Sequence, residues 1–375
     1  LKLKPNSLIC TKTQEEYPLN DVRWHSEGGH LLDIRFRPTL DKNLYRQRAA
    51  NLWRYREALP IIHDENIVSF GEGATPLQKI DIDGRSVYFK LDFLFPTGSY
   101  KDRGSTVMIS KIKELGIKHV VQDSSGNAGS SVAAYCAKAG IRCDVYVPKG
   151  VSDAKLAQMK CYGANVIVVN GTREDTAEAA YQAAKNSFYA SHCWNPFFFQ
   201  GTKTFAFEVC EQLGWKAPDT LILPAGNGTL LIGAYIGFRE LLKAGILENM
   251  PKIIGVQATH CSPLYEAFNE GLTYIPEAIT LPTLAEGIAI AKPVRGKQML
   301  QYVELSEGAF MCVGEEEIKD ALIMMGKMGY FIEPTSAAVV AGVRKYMAEA
   351  PIGEKVVSVL TGTGLKASDK IAKIL

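Results

Sequence analysis

From about residue 85 to the end of the chain, short β-branched runs bounded by Gly, Pro, Asn or Asp alternate with longer helical patterns. The strand-like runs are 86–91, 118–123, 142–147, 165–169, 188–191, 219–224, 252–257, 309–313 and 355–361. Helical patterns fall at 104–115, 127–139, 153–161, 174–186, 202–213, 228–243, 315–328 and 335–348. Such alternation predicts mainly parallel sheets covered by helices, an α/β fold. At 375 residues the chain exceeds the usual size of one core, so two lobes are expected, each an open, mainly parallel sheet. Residues 1–50 read as a polar, irregular lead-in, and 271–308, with Pro276, Pro282 and Pro293, as surface loops and short helices.

Several classes of function are disfavoured at once. An apolar share of 47% and a charged share of 22% are ordinary for a soluble globular protein. Net charge is +2, with no Lys/Arg run dense enough to track a nucleic-acid backbone. No apolar run is long enough to span a membrane. Residues 1–6 lack the apolar run of a signal peptide. The cysteines at 10, 136, 143, 161, 193, 210, 261 and 312 never form Cys-x-x-Cys, which suits a reducing, cytoplasmic setting.

In open α/β sheets, ligands bind beyond the carboxyl ends of the strands, so strand-to-helix turns are where function is to be sought. Four of them have unusual composition. Pro96-Thr97-Gly98-Ser99-Tyr100-Lys101-Asp102-Arg103-Gly104 puts a lysine at a helix start, where the dipole disfavours a cation by a few tenths of a kcal/mol. An ordinary surface lysine tolerates that position; the small-residue turn before it and Asp102 after it argue for a held nucleophile. Asp123-Ser124-Ser125-Gly126-Asn127-Ala128-Gly129-Ser130-Ser131 allows close backbone approach and offers helix N–H groups to an anion, or is simply a capped helix start. Ala225-Gly226-Asn227-Gly228-Thr229-Leu230 has the composition of an anion cradle. The dinucleotide fingerprint fails there because Leu231 stands where Gly is required, and no Gly-Lys-Ser/Thr marks a P-loop. Thr361-Gly362-Thr363-Gly364 closes the last strand with a hydroxyl that suits a neutral ring nitrogen.

Nucleophilic lysine, phosphate cradle, Asn loop and terminal hydroxyl together match the needs of pyridoxal phosphate. The lysine motif, Gly71-Glu-Gly-Ala-Thr-Pro-Leu77, Asn195-Pro196, Gly201-Thr-Lys-Thr204, Glu333-Pro334-Thr335-Ser336-Ala337 and Thr361-Gly-Thr-Gly-Leu-Lys366 complete a set that resembles the threonine synthases. These are fold type II pyridoxal phosphate enzymes of the tryptophan-synthase-β group, and the motifs occur in the right order along nearly the whole chain.

The resemblance implies that the cofactor lies between the two lobes. A large cofactor domain would comprise 51–103 and 211–375, and a small domain 104–210 would carry the Asn loop. Lys101 would be the imine-forming residue and proton shuttle, and Asn127 would contact the ring hydroxyl oxygen. The amides of Gly226, Asn227, Gly228, Thr229 and Leu230 would hold the phosphate, and Thr361 would meet the ring nitrogen. The substrate carboxylate would rest on Ser125, Gly126, Ala128, Gly129 and Ser130. It further implies a homodimer acting on O-phospho-L-homoserine.

Departures from the family pattern affect the substrate. Phe198 stands where an Asn-Pro-x-Arg arginine would bind a substrate phosphate, and an aromatic ring cannot replace a bidentate cation. The Asn loop reads Ala-Gly-Ser after Asn127, and the cradle has Thr229-Leu230. Serine/threonine dehydration, or β-replacement on an activated serine, is therefore kept as an alternative, and non-catalytic amino-acid sensing as another. Relatives often carry paired Cys-x-x-Cys knuckles near the N-terminus. Here Cys10, Thr13 and Ser26-Glu27-Gly28-Gly29 remain, too few for four zinc ligands, so no metal is expected. The six histidines lack ligand spacing and read as structural or exposed; Trp194 and residues 197–199 read as core or interface.

Overall fold

The computed structural model describes residues 6–151, 153–278 and 280–375. The chain forms two compact units, one of residues 1–73 and 101–202, the other of 74–100 and 203–375. Residues 51–73 belong to the unit that carries the Asn loop. Hydrogen bonds to helix Lys101–Glu114 account for that: Trp53 Nε1 donates to Thr106 Oγ1 at 3.0 Å, and the Val68 N–H to Ser110 Oγ at 2.8 Å.

The first unit contains a four-stranded parallel sheet, in the order Asn165–Val169, Arg142–Pro148, His119–Gln122, Phe188–Tyr189. Helices Lys101–Glu114, Asn127–Ala139, Asp153–Cys161 and Arg173–Ala184 belong to the same unit. Every strand-like run of this region forms a strand, because continuous Val/Ile runs suit a sheet covered on both faces.

The expected irregular lead-in is corrected by the structure. Ser7–Cys10 lies at the centre of a three-stranded antiparallel sheet, between Glu16–Pro18 and Leu32–Arg35. These strands are only three or four residues long, so periodicity carries little signal; Leu8, Cys10 and Leu32 are nevertheless completely buried. Trp24 is buried with them, its ring edge-on to Tyr189 at 5.0 Å.

The second unit contains a six-stranded sheet, in the order Ala309–Val313, Lys252–Ala258, Thr220–Pro224, Val356–Val359, Arg85–Lys90, Leu77–Ile82. All neighbours are parallel except the last pair, a hairpin closed by Asp83-Gly84, both with positive φ (52° and 79°). That Asp-Gly pair is the turn signature for strand Leu77–Ile82, which the strand-like runs above do not include. Thr220–Pro224 is buried along its whole length, as a central strand covered on both faces must be. The stretch 271–308, expected as surface loops and short helices, holds a three-residue turn of helix, Glu286–Ile288, and a ten-residue helix, Gly296–Leu305. Among the described residues no helix is long and apolar enough to cross a membrane.

Candidate active site

In the first unit, Lys101 is the first residue of helix Lys101–Glu114, and Asn127 the first of helix Asn127–Ala139. The two helix starts are tied together. Ser131 Oγ donates to Asp102 Oδ1 at 2.6 Å and lies 2.7 Å from Ser105 Oγ, with all three residues buried. Asp102, which follows the lysine in the motif, therefore anchors the Asn-loop helix.

Residues 123–131 form the tight turn their composition suggests. A Cβ on Gly129 would fall 1.8 Å from the Ser124 carbonyl oxygen, so the chain folds back onto bare backbone there. Gly126 caps the helix without a side chain, its N–H donating to Ser124 Oγ at 3.3 Å, and its carbonyl accepts the Ser130 N–H at 3.1 Å. Ser130 is buried with Ala128 and Gly129, whereas Gly126 is exposed and Ser125 and Asn127 are half-buried. An uncapped helix start of this kind offers N–H donors to an anion.

Phe198 is fully buried, its ring centroid 5.9 Å from Lys101 Nζ. It explains the last residue of the lysine motif, because a Cβ on Gly104 would lie 2.3 Å from the Phe198 ring. His192, read as structural or exposed, is buried and edge-on to Phe198, with centroids 6.0 Å apart. Burial, with the nearby cations Lys101 and Arg173, holds the imidazole well below its ordinary value and keeps it neutral. Sequence spacing could not find it, since its partners come from three other elements.

In the second unit, the loop after strand Thr220–Pro224 opens the fifteen-residue helix Thr229–Lys243. Gly228, its N-cap, has φ 71° and no side chain, so no side chain caps the first-turn amides. A Cβ there would strike Met299 Sδ at 2.0 Å, and one on Gly226 would meet Ile288 Cα at 2.8 Å. A glycine-only backbone leading into an uncapped helix N-terminus fits a phosphate group. Leu230 is buried, Asn227 half-buried, and the Thr229 hydroxyl lies 2.9 Å from the Tyr100 hydroxyl.

The turn before the lysine is pinned to the end of the last strand. Tyr100 N–H donates to the Thr361 carbonyl at 2.9 Å, and Thr363 N–H to the Gly98 carbonyl at 3.0 Å. Thr361 itself is buried. Its hydroxyl donates to Glu333 Oε1 at 2.8 Å and lies 2.8 Å from Ser336 Oγ, which also accepts the Thr361 N–H at 2.8 Å. The Thr361 hydroxyl proton is thus committed to Glu333, which leaves an oxygen lone pair to accept a donor rather than the proton that a neutral ring nitrogen would need, and the Glu333 and Ser336 of the Glu-Pro-Thr-Ser motif set its orientation.

At the N-terminus, burial pushes the Cys10 thiol up, but donation from the Thr13 side chain and N–H, with Ser26 and Lys12, outweighs it and brings the thiol down to about 7. Among the described residues no group of three or more His, Cys, Asp or Glu is placed to hold a metal ion.

Residues 68–362 match the family model described as pyridoxal-phosphate dependent enzyme. A threonine synthase of Methanocaldococcus jannaschii is 37% identical, covering 96% of this chain and 93% of its own; one of Methanosarcina acetivorans is 35% identical, covering 96% and 92%. Among solved structures, a pyridoxal 5'-phosphate-dependent aspartate racemase superposes with a TM-score of 0.68 at 25% identity, over 77% of this chain and 90% of that one. The processed threonine deaminase isoform 2 of Solanum lycopersicum shares the fold, with a TM-score of 0.70 at 20% identity over 90% and 95%. The chain belongs to the pyridoxal-phosphate-dependent enzyme family, with its two-unit α/β fold and its cofactor. Within that family it is of the threonine-synthase-like, carbon–oxygen lyase kind, acting on a small amino acid.

Proposed function

We propose that the protein converts O-phospho-L-homoserine and water to L-threonine and phosphate, as a cytoplasmic homodimer with pyridoxal 5'-phosphate attached to Lys101. The observation that carries this reading is the Ser131–Asp102 bond of 2.6 Å, which places the lysine helix start beside the Asn loop. The two archaeal threonine synthases, similar along nearly the whole chain, support the particular reaction.

When bound, the cofactor supplies an electron sink for negative charge developing on the amino acid. The chain's own groups do the rest. Lys101 Nζ would hold the cofactor and, as a free amine, would take and return protons at the substrate's Cα and Cβ. The N–H groups at Gly126, Ala128 and Gly129, with the Ser125 and Ser130 hydroxyls, orient the substrate carboxylate. Asn127 would meet the ring oxygen, and Thr361, held by Glu333 and Ser336, would stand at the ring nitrogen. The amides of residues 226–230 bind the cofactor phosphate at the start of helix Thr229–Lys243.

Phe198 favours a second reading, dehydration of serine or threonine, or β-replacement on an activated serine. An apolar ring 5.9 Å from Lys101 Nζ offers a leaving phosphate no bidentate partner. Incubation with O-phospho-L-homoserine, L-serine and L-threonine separates the two. Threonine and free phosphate support the first; a 2-oxo acid with ammonia, and no turnover of the phosphoester, supports the second.

A further inference from the structure

The carboxyl end of the four-stranded sheet carries a carboxyl group that the chemistry above leaves without a task. Asp123 follows strand His119–Gln122 and begins the Asn loop. Its N–H donates to Gln122 Oε1 at 2.7 Å, while Gln122 Nε2 donates to the Ala190 carbonyl at 3.0 Å, so the position is fixed between two strand ends. The Tyr189 and Ser191 hydroxyls are near enough to favour the Asp123 carboxylate, yet Oδ1 is buried with no hydrogen-bond partner. Arg173, first residue of helix Arg173–Ala184, is near enough to act electrostatically on both Asp123 and His192, and Lys101 acts on His192 as well.

A buried oxygen without a partner is costly, and more so when charged. Burial raises the Asp123 carboxyl above its ordinary range in spite of the two hydroxyls and Arg173. An ionised carboxylate beside an anion-binding loop would repel an anionic substrate; a protonated one has an O–H to give it.

We propose that Asp123 is a specificity residue whose buried, otherwise unpartnered Oδ1 shares a proton with an anionic oxygen, carboxylate or phosphate, of the amino acid bound on residues 124–130. The inference rests on the substrate placement proposed above. The groups that act on Asp123 are Tyr189, Ser191 and Arg173, and Arg173 also acts, with Lys101, on His192. All are shared by the variants below, so a difference between profiles belongs to residue 123.

The test uses wild-type, D123N and D123L holoenzyme, titrated with L-serine by visible absorption and with inorganic phosphate as competitor, from about pH 6 to about pH 9. Wild-type affinity should fall about tenfold per pH unit once Asp123 ionises. D123N, whose amide donates at every pH, should keep the low-pH affinity within about threefold and lose the fall; D123L should lose about tenfold or more at low pH. A response to L-serine alone assigns the contact to the carboxylate, and to phosphate alone to the phosphate; either supports the inference. A D123N profile that tracks the wild type overturns it. Unfolding equilibria provide an arm that needs no substrate. A carboxyl raised on folding stabilises below its unfolded pKa of about 3.9 and loses that contribution as pH rises through the folded value. The wild-type folding constant should therefore weaken against D123N by about tenfold per pH unit in that window; parallel curves overturn the proposal. A wild type whose absorption ignores L-serine counts against the cofactor reading, and the unfolding arm then decides the question of Asp123.

Discussion

Ser131 Oγ donates to Asp102 Oδ1 at 2.6 Å in the first unit, joining the helix that begins with the lysine to the helix that begins with Asn127. A buried hydrogen bond to a charged acceptor contributes about 1.5–3 kcal/mol. Ser131→Ala should lower unfolding stability by about that amount and raise KM through the loosened Asn loop. A double-mutant cycle with Asp102→Asn, read by denaturant unfolding, should show coupling above about 0.5 kcal/mol; additive losses would mean the contact is not formed.

Gly104 and Phe198 form a second testable pair. A Cβ at 104 would sit 2.3 Å from the ring, so Gly104→Ala overpacks a closed core and should cost about 1–3 kcal/mol. Phe198→Leu should recover part of that loss in the double variant. A melting temperature for Gly104→Ala equal to wild type would count against this packing.

At the cradle, Gly228→Ala meets both a left-handed φ of 71° and Met299 Sδ at 2.0 Å. The loop must shift, and the amides that hold the cofactor phosphate shift with it. Cofactor Kd, measured by titration of the apoprotein, should rise by about tenfold or more, equivalent to about 1.4 kcal/mol. Unchanged affinity would place the phosphate elsewhere.

His192 predicts a pH effect of definite sign. Its folded value is depressed below 6.5 by burial and by Lys101 and Arg173, so the unfolded chain binds the extra proton. Stability is fully present above the unfolded value and lost as pH falls from 6.5 towards the folded value, by up to about 1.4 kcal/mol per pH unit. His192→Asn should flatten the acid limb of a stability-against-pH curve, whatever its cost at neutral pH. An unchanged acid limb would mean that this imidazole is not buried neutral.

The sequence revealed what local pattern can encode. The Val/Ile strands and the helices between them follow from periodicity, and helices Asn127–Ala139 and Asp153–Cys161 have the expected bounds. The small-residue turns announce their backbone geometry because Gly126, Gly129, Gly226 and Gly228 have few structural alternatives. Strands of three or four residues such as Glu16–Pro18 gave no periodic signal. The particular contacts of His192, Asp123 and Ser131 were not legible for another reason. Each acquires its meaning from a partner on a different element: Phe198, Tyr189 and Asp102. Pairings over such separations are fixed by the topology of the sheet, not by spacing along the chain.

The central claim is that Lys101 is the residue that holds pyridoxal phosphate. Borohydride reduction of the holoenzyme, followed by digestion and mass spectrometry, tests it most directly. The account predicts that visible absorption disappears on reduction and that one peptide, containing Lys101, carries the pyridoxyl group, with neither signal in Lys101→Ala. A pyridoxyl group on another lysine, or on none in cofactor-saturated protein, would contradict it.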